Sequence, residues 1–133
     1  MNINSKWLMV SSAVVLAVFG FLASFFANEL LSHTKVTSQG AGEMFIQFMS
    51  AGMLALAVLN WMGRNAVLGG IYGRPILTGN LVYFLIVLIN MIKMLIAKPE
   101  LPGMWILSAI YLIFTIGFLN AILFHTAKAR SKS

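Results

Sequence analysis

The chain has 133 residues, room for one ordinary domain but not two. It is 60% hydrophobic and 9% charged, with mean hydropathy +0.92, whereas a soluble domain carries about 25% charged residues. Such a chain cannot cover a water-facing surface and is expected in a membrane. The net charge is +6 and there is no Cys, which excludes disulfide scaffolds, thiol redox chemistry, iron–sulfur clusters and cysteine-type zinc sites.

A helix that crosses a bilayer needs about 20 apolar residues. Four segments qualify: 7–27, 44–63, 76–97 and 104–124. The first follows Lys6 and ends in small residues, as a secretory leader does. Its apolar run exceeds the roughly 7–15 residues of a leader, so it is read as a span. The second follows a polar stretch, 28–42, with room for a short interfacial turn at Glu29–Lys35. Before the third span stands a glycine-rich loop, and Pro75 fits the first helical turn, where a missing N–H costs nothing. Pro99 and Pro102 bracket a short link that makes the third and fourth spans antiparallel neighbours. The tail, 125–133, is small, polar and basic, and is expected to fray. The expected fold is therefore an all-α bundle of four transmembrane helices forming a single membrane domain.

Orientation follows from Lys and Arg in short loops. Lys6, Arg64, Arg74, Lys128, Arg130 and Lys132 fall on one side; Lys35, Lys93 and Lys98 fall on the other. This bias puts both termini in the cytoplasm. Trp7 and Trp61 lie near the inner boundary and Trp105 near the outer one, as in an aromatic belt. The basic residues are scattered over loops and helix ends without a nucleic-acid motif. They are read as contacts to anionic lipid headgroups, and no nucleic acid is expected.

The first span carries a stripe of small residues, Ala13, Ala17, Gly20 and Ser24, continuing to Ala27. Its spacing of 4 and 3 keeps one face small and allows close helix approach, either within the bundle or in a homo-oligomer. Packing within the bundle is the preferred reading. Gly117 and Ala121 form a weaker patch on the fourth span.

Two polar groups are candidate sites. Glu43, Gln47 and Ser50 share a face of the second span; Tyr83, Asn90 and Lys93 lie near one face of the third. Both sets fall toward the outer leaflet. Glu43, Gln47, Asn90 and Lys93 thus form a candidate outer cluster, with an ion pair between Glu43 and Lys93 in reach. Ionisable residues inside a membrane are functional candidates by default. The structural alternative is a Lys93 that snorkels to the boundary and a Glu43 that is wet. Toward the cytoplasm, Asn60, Asn80 and Asn120 lie about one turn from their helix ends. A carboxamide facing lipid is costly, so all three are expected to face the bundle. With Arg64 and Arg74 they form a candidate inner polar or anion site, because free N–H groups at a helix start favour an anion such as a lipid phosphate.

The residues Asn60-Trp61-Met62, Gly69-Gly70-Ile71-Tyr72-Gly73-Arg74-Pro75 and Gly79-Asn80 resemble a pattern in small uncharacterised bacterial four-helix membrane proteins. Their architecture is similar to that of DoxX-like proteins. The resemblance implies a bacterial inner-membrane protein; DoxX-like proteins are sometimes linked to oxidoreductase or stress-response complexes. It assigns no residue a role.

No catalytic residue, metal or cofactor is expected. His33 and His125 lie at opposite faces and cannot share a ligand, and the chain has no Asp for a Ser/His/Asp arrangement. Met49 and Met53 are a turn apart, but Met also fills cores. The leading expectation is a non-enzymatic accessory or lipid-interacting membrane component, alone, as a homo-oligomer or with a membrane partner subunit. A small-solute or proton-coupled transporter is the first alternative. A quinone- or lipid-binding subunit of an oxidoreductase, using Asn60, Arg64, Tyr72 and Arg74, is the second.

Overall fold

The computed structural model describes residues 3–29, 40–65, 73–97 and 102–130. The described residues form four long helices: α1 (Ile3–Phe25), α2 (Ala41–Gly63), α3 (Gly73–Ala97) and α4 (Pro102–Arg130). Each holds a stretch of at least 20 residues long and apolar enough to cross a membrane. The shortest, of 23 residues, is about 34 Å long against a hydrocarbon core of about 30 Å.

Local chemistry sets the ends. Phe26 bends the chain after α1 while its N–H still reaches Leu22 O at 2.9 Å. Gly40 precedes α2 with φ of 74°, a conformation that glycine adopts without steric cost. Its carbonyl accepts from Met44 N at 3.2 Å. Glu43 sits in the first turn of α2, where the helix dipole favours a carboxylate. Pro75 falls in the first turn of α3 and Pro102 opens α4, two positions that need no N–H partner within the helix.

The helices overrun the apolar segments read from sequence. α2 and α3 each begin three residues earlier than expected, and α1 runs from Ile3 to Phe25 instead of 7–27. The largest correction is at the end: α4 continues to Arg130, through most of the segment expected to fray. Ala127, Lys128, Ala129 and Arg130 are strong helix formers, and hydropathy registers only where a helix stops being apolar. The turn expected at Glu29–Lys35 and the residues Gly69–Tyr72, Lys98–Glu100, His33 and Lys35 lie outside the described residues, Glu29 excepted.

The chain divides into two compact units: residues 9–64 form one, and residues 1–8 with 65–133 form the other. In the first, Met9, Ser12, Ala13, Leu16 and Gly20 are buried along α1, and Ser50, Ala57, Asn60 and Gly63 along α2. Gly20 shows how closely these helices meet. A Cβ there would stand 3.0 Å from Leu54 Cγ, 3.1 Å from Met53 Cβ and 3.1 Å from the Ser50 carbonyl. In the second unit α3 packs along α4. Leu77, Asn80, Phe84, Leu88 and Leu95 are buried on α3; Ser108, Tyr111, Phe114, Thr115, Phe118 and Ala121 on α4. Spacings of 3, 4 and 7 run through both sets, with Phe114 and Thr115 adjacent on the α4 face. Phe84 is the hub, stacked on Phe114 (5.1 Å between centroids) and Phe118 (5.5 Å) and tilted against Tyr111 (5.3 Å). Such pairs add about 0.5–1.5 kcal/mol each beyond their burial. Leu8 lies over Gly117, where an added Cβ would meet its Cδ1 at 2.8 Å.

Candidate functional site

In the unit of residues 9–64, Asn60 is fully buried and its Nδ2 donates to Ser12 Oγ at 3.0 Å. The Ser12 hydroxyl donates in turn to Met9 O, also at 3.0 Å. An amide on α2 is thus tied to a backbone carbonyl of α1 through one hydroxyl. This is how polar groups survive in an apolar interior: each finds its partner within the protein. Ser50, equally buried, donates to Gln47 O at 2.7 Å.

Arg64 follows the last residue of α2. Its guanidinium lies 4.3 Å above the Trp61 ring, and its Nη1 donates to Trp61 O. The cation therefore has an aromatic face and a C-terminal carbonyl of the helix, both of which stabilise positive charge. Trp61 is half exposed. Toward the other end of α2, Glu43 is half-buried and accepts a hydrogen bond from Asn28 Nδ2 at 3.3 Å. Gln47 is exposed.

In the other unit, Asn80 is buried and donates from Nδ2 to Ile76 O at 2.9 Å. Asn90 donates to Ile86 O at 3.0 Å, and both Asn90 and Lys93 are exposed. Arg74 is exposed near the start of α3. Asn120 corrects an expectation: it is exposed instead of facing inward. It lies four residues before Phe124, about 6 Å from the end of the apolar stretch, close enough to the boundary for water or headgroups to satisfy its amide.

Neither candidate cluster falls within one compact unit. Glu43 and Gln47 belong to residues 9–64 and Asn90 and Lys93 to the other unit; Asn60 and Arg64 belong to the first, Arg74, Asn80 and Asn120 to the second. Within the units, Glu43 is engaged by Asn28, and Asn60, Asn80 and Asn90 hold bonds inside their own unit. Of the small-residue stripe, Ala13 and Gly20 are buried and Ala17 and Ser24 half-buried, with Gly20 set against α2.

Sequence reasoning named Tyr83 but missed the polar groups of α4 that it meets in the α3–α4 interface. Tyr83 Oη and Tyr111 Oη lie 3.5 Å apart, with ring centroids at 6.3 Å. Tyr111 is 1% exposed, whereas Tyr83 is half-buried. One turn along the same buried face of α4, Ser108 Oγ has no hydrogen-bond partner among the described residues. Thr115, one turn the other way, donates to Tyr111 O at 2.8 Å. The signal was present as Ser108, Tyr111, Thr115 and Phe118 at spacings 3, 4 and 3, a half-polar stripe in an otherwise apolar helix. No group of three or more metal-ligating side chains occurs among the described residues.

No family model matches the chain, and neither a curated protein nor a solved structure matches it.

Proposed function

We propose that this chain is a non-enzymatic, multi-pass component of a bacterial cytoplasmic membrane, both termini in the cytoplasm, acting through lipid and helix contacts. One observation carries the reading. Polar side chains buried in the apolar helices, Ser12, Ser50, Asn60, Asn80 and Thr115, bond to their own backbone or to each other, and the exposed Asn90 likewise bonds to its own helix backbone. The outward faces are mostly apolar, with Phe21, Phe45, Phe48, Val58, Ile86, Ile106 and Ile113 among the exposed side chains. Lipid is the solvent such faces fit. The ends add Lys6 beside exposed Trp7, Arg64 over Trp61, and exposed Arg74, the residues that hold a helix at the headgroup level.

Six of the nine basic residues fall on the side assigned to the cytoplasm, which supports the orientation. Gly20 is in use against α2, which supports packing within the chain as the role of the small-residue stripe.

Native mass spectrometry of the chain released from nanodiscs of bacterial lipid tests the proposal. The expected result is retained anionic phospholipid that falls in the Arg64→Ala and Arg74→Ala variants, with circular dichroism unchanged. Equal retention of anionic and neutral lipid in all three proteins would contradict it.

A further inference from the structure

The hydroxyls of the α3–α4 interface do not balance. Each phenol has one O–H to donate. In the Tyr83–Tyr111 pair only one hydroxyl can donate to the other, so one phenolic O–H is left over. Ser108 adds a second unplaced donor, 92% buried on the same face of α4. This departs from the habit of the other small polar residues. Ser12, Ser50, Asn80, Asn90 and Thr115 all donate to a carbonyl one turn back. A buried polar group without a partner calls for an explanation, most of all where no water surrounds the helix.

The missing partner is an acceptor, since the surplus is of donors. Access is through Tyr83, the half-buried member of the pair. If Tyr111 donates to Tyr83, the O–H left over is that of Tyr83, the less buried of the two. Tyr83 stands about 15 Å from the start of α3 and about 21 Å from its end, close to the helix midpoint. Phospholipid esters lie at the edges of the hydrocarbon core, roughly 15 Å from its centre, and do not supply the acceptor at this depth. A charged acceptor is disfavoured there, with no cation among the residues of the cluster. Apart from a buried water, which the test below separates, the fitting acceptor is a neutral molecule that dissolves in the hydrocarbon and carries a carbonyl.

We propose that Tyr83, backed by Tyr111 and with Ser108 one turn along α4, is a hydrogen-bond-donating site for the carbonyl of an apolar, membrane-dissolved molecule, a quinone ring being the simplest. The site binds; no reaction is assigned to it. It does not depend on the headgroup contacts proposed above.

The test uses the full chain in nanodiscs, labelled with ortho-fluorotyrosine and observed by fluorine NMR. The chain has three tyrosines, and the third, Tyr72, is replaced by Phe in the labelled protein so that only the pair is read. The probe is a benzoquinone bearing a decyl tail; decylbenzene, which has no carbonyl, is the comparison. The expected result is a saturable shift of the Tyr83 and Tyr111 resonances with the quinone and none with decylbenzene. The quinone carbonyl stretch moves to lower frequency on binding. Tyr83→Phe keeps the ring and removes the donor, and is expected to weaken binding about tenfold, the loss of one hydrogen bond. Identical shifts with both probes, or quinone binding undiminished in Tyr83→Phe, would overturn the proposal. So would resonances that respond to deuterium exchange but not to the quinone, which would make the acceptor a buried water. If Tyr83→Phe does not fold, the comparison of the two probes on the chain that keeps Tyr83 decides alone. Anionic lipid retention is read separately and is expected to be the same in Tyr83→Phe.

Discussion

At Asn60 a carboxamide in an apolar setting is made tolerable by one hydroxyl. Its Nδ2 bond to Ser12, and the Ser12 bond to Met9 O, tie α2 to α1 at a fixed height. Inter-helix hydrogen bonds in membranes average only about 0.6 kcal/mol and reach about 1.7. The link therefore sets register more than it sets stability. Ser12→Ala is expected to lower unfolding stability in bicelles by about 0.6–1.7 kcal/mol, measured by steric trapping, while leaving helicity intact. Asn60→Ala is expected to cost no less, because it leaves the buried Ser12 hydroxyl without its donor. The Asn60 position was legible as an inward-facing amide; its partner was not. Ser12 is one of two adjacent serines on an apolar helix, and the one-dimensional pattern does not say which meets Asn60. Asn120 shows the converse limit, since an amide near a helix end has solvent or headgroups as an alternative and is free to face outward.

Glycines separate the helix contacts by what each would meet. At Gly20 an added Cβ runs into the Ser50 carbonyl and the stems of Met53 and Leu54, none of which moves without shifting α2. Gly20→Val is expected to destabilise by about 1–3 kcal/mol, the usual cost of overpacking. At Gly117 the obstacle is the tip of Leu8, which has other rotamers, so Gly117→Ala is expected to cost less than Gly20→Ala. At Gly52 and Gly79 nothing lies within 4 Å, and alanine there is expected to be neutral or slightly stabilising. Thermal melts of the four alanine variants in one detergent give the order directly. The small-residue stripe of α1 was readable from spacing alone, but the helix that uses it was not. Small faces serve contacts inside a chain and between chains equally well, and only the neighbour of Gly20 distinguishes them.

For the whole chain, four apolar stretches of the right length were enough to place four helices, since bilayer thickness fixes span length within narrow limits. What hydropathy missed is where a helix continues after it stops being apolar, as α4 does beyond Phe124. It also missed Tyr111 and Ser108, whose chemistry appears only when α3 is laid against α4 and Tyr83 comes within 3.5 Å. The orientation rests on the distribution of Lys and Arg. Weakening that bias from six against three to four against three, by Arg64→Glu with Arg74→Glu, is expected to perturb insertion, scored by protease protection in membrane vesicles. The most direct measurement uses the absence of Cys in the chain. Single cysteines at Asn2, at Thr37 and at Ser131 are labelled in right-side-out vesicles with a membrane-impermeant maleimide. The account predicts labelling at Thr37 alone, with Asn2 and Ser131 reactive only after the membrane is opened. Labelling of one terminus but not the other would mean an odd number of spans and would contradict the four-span topology; labelling of both termini with Thr37 protected would invert it.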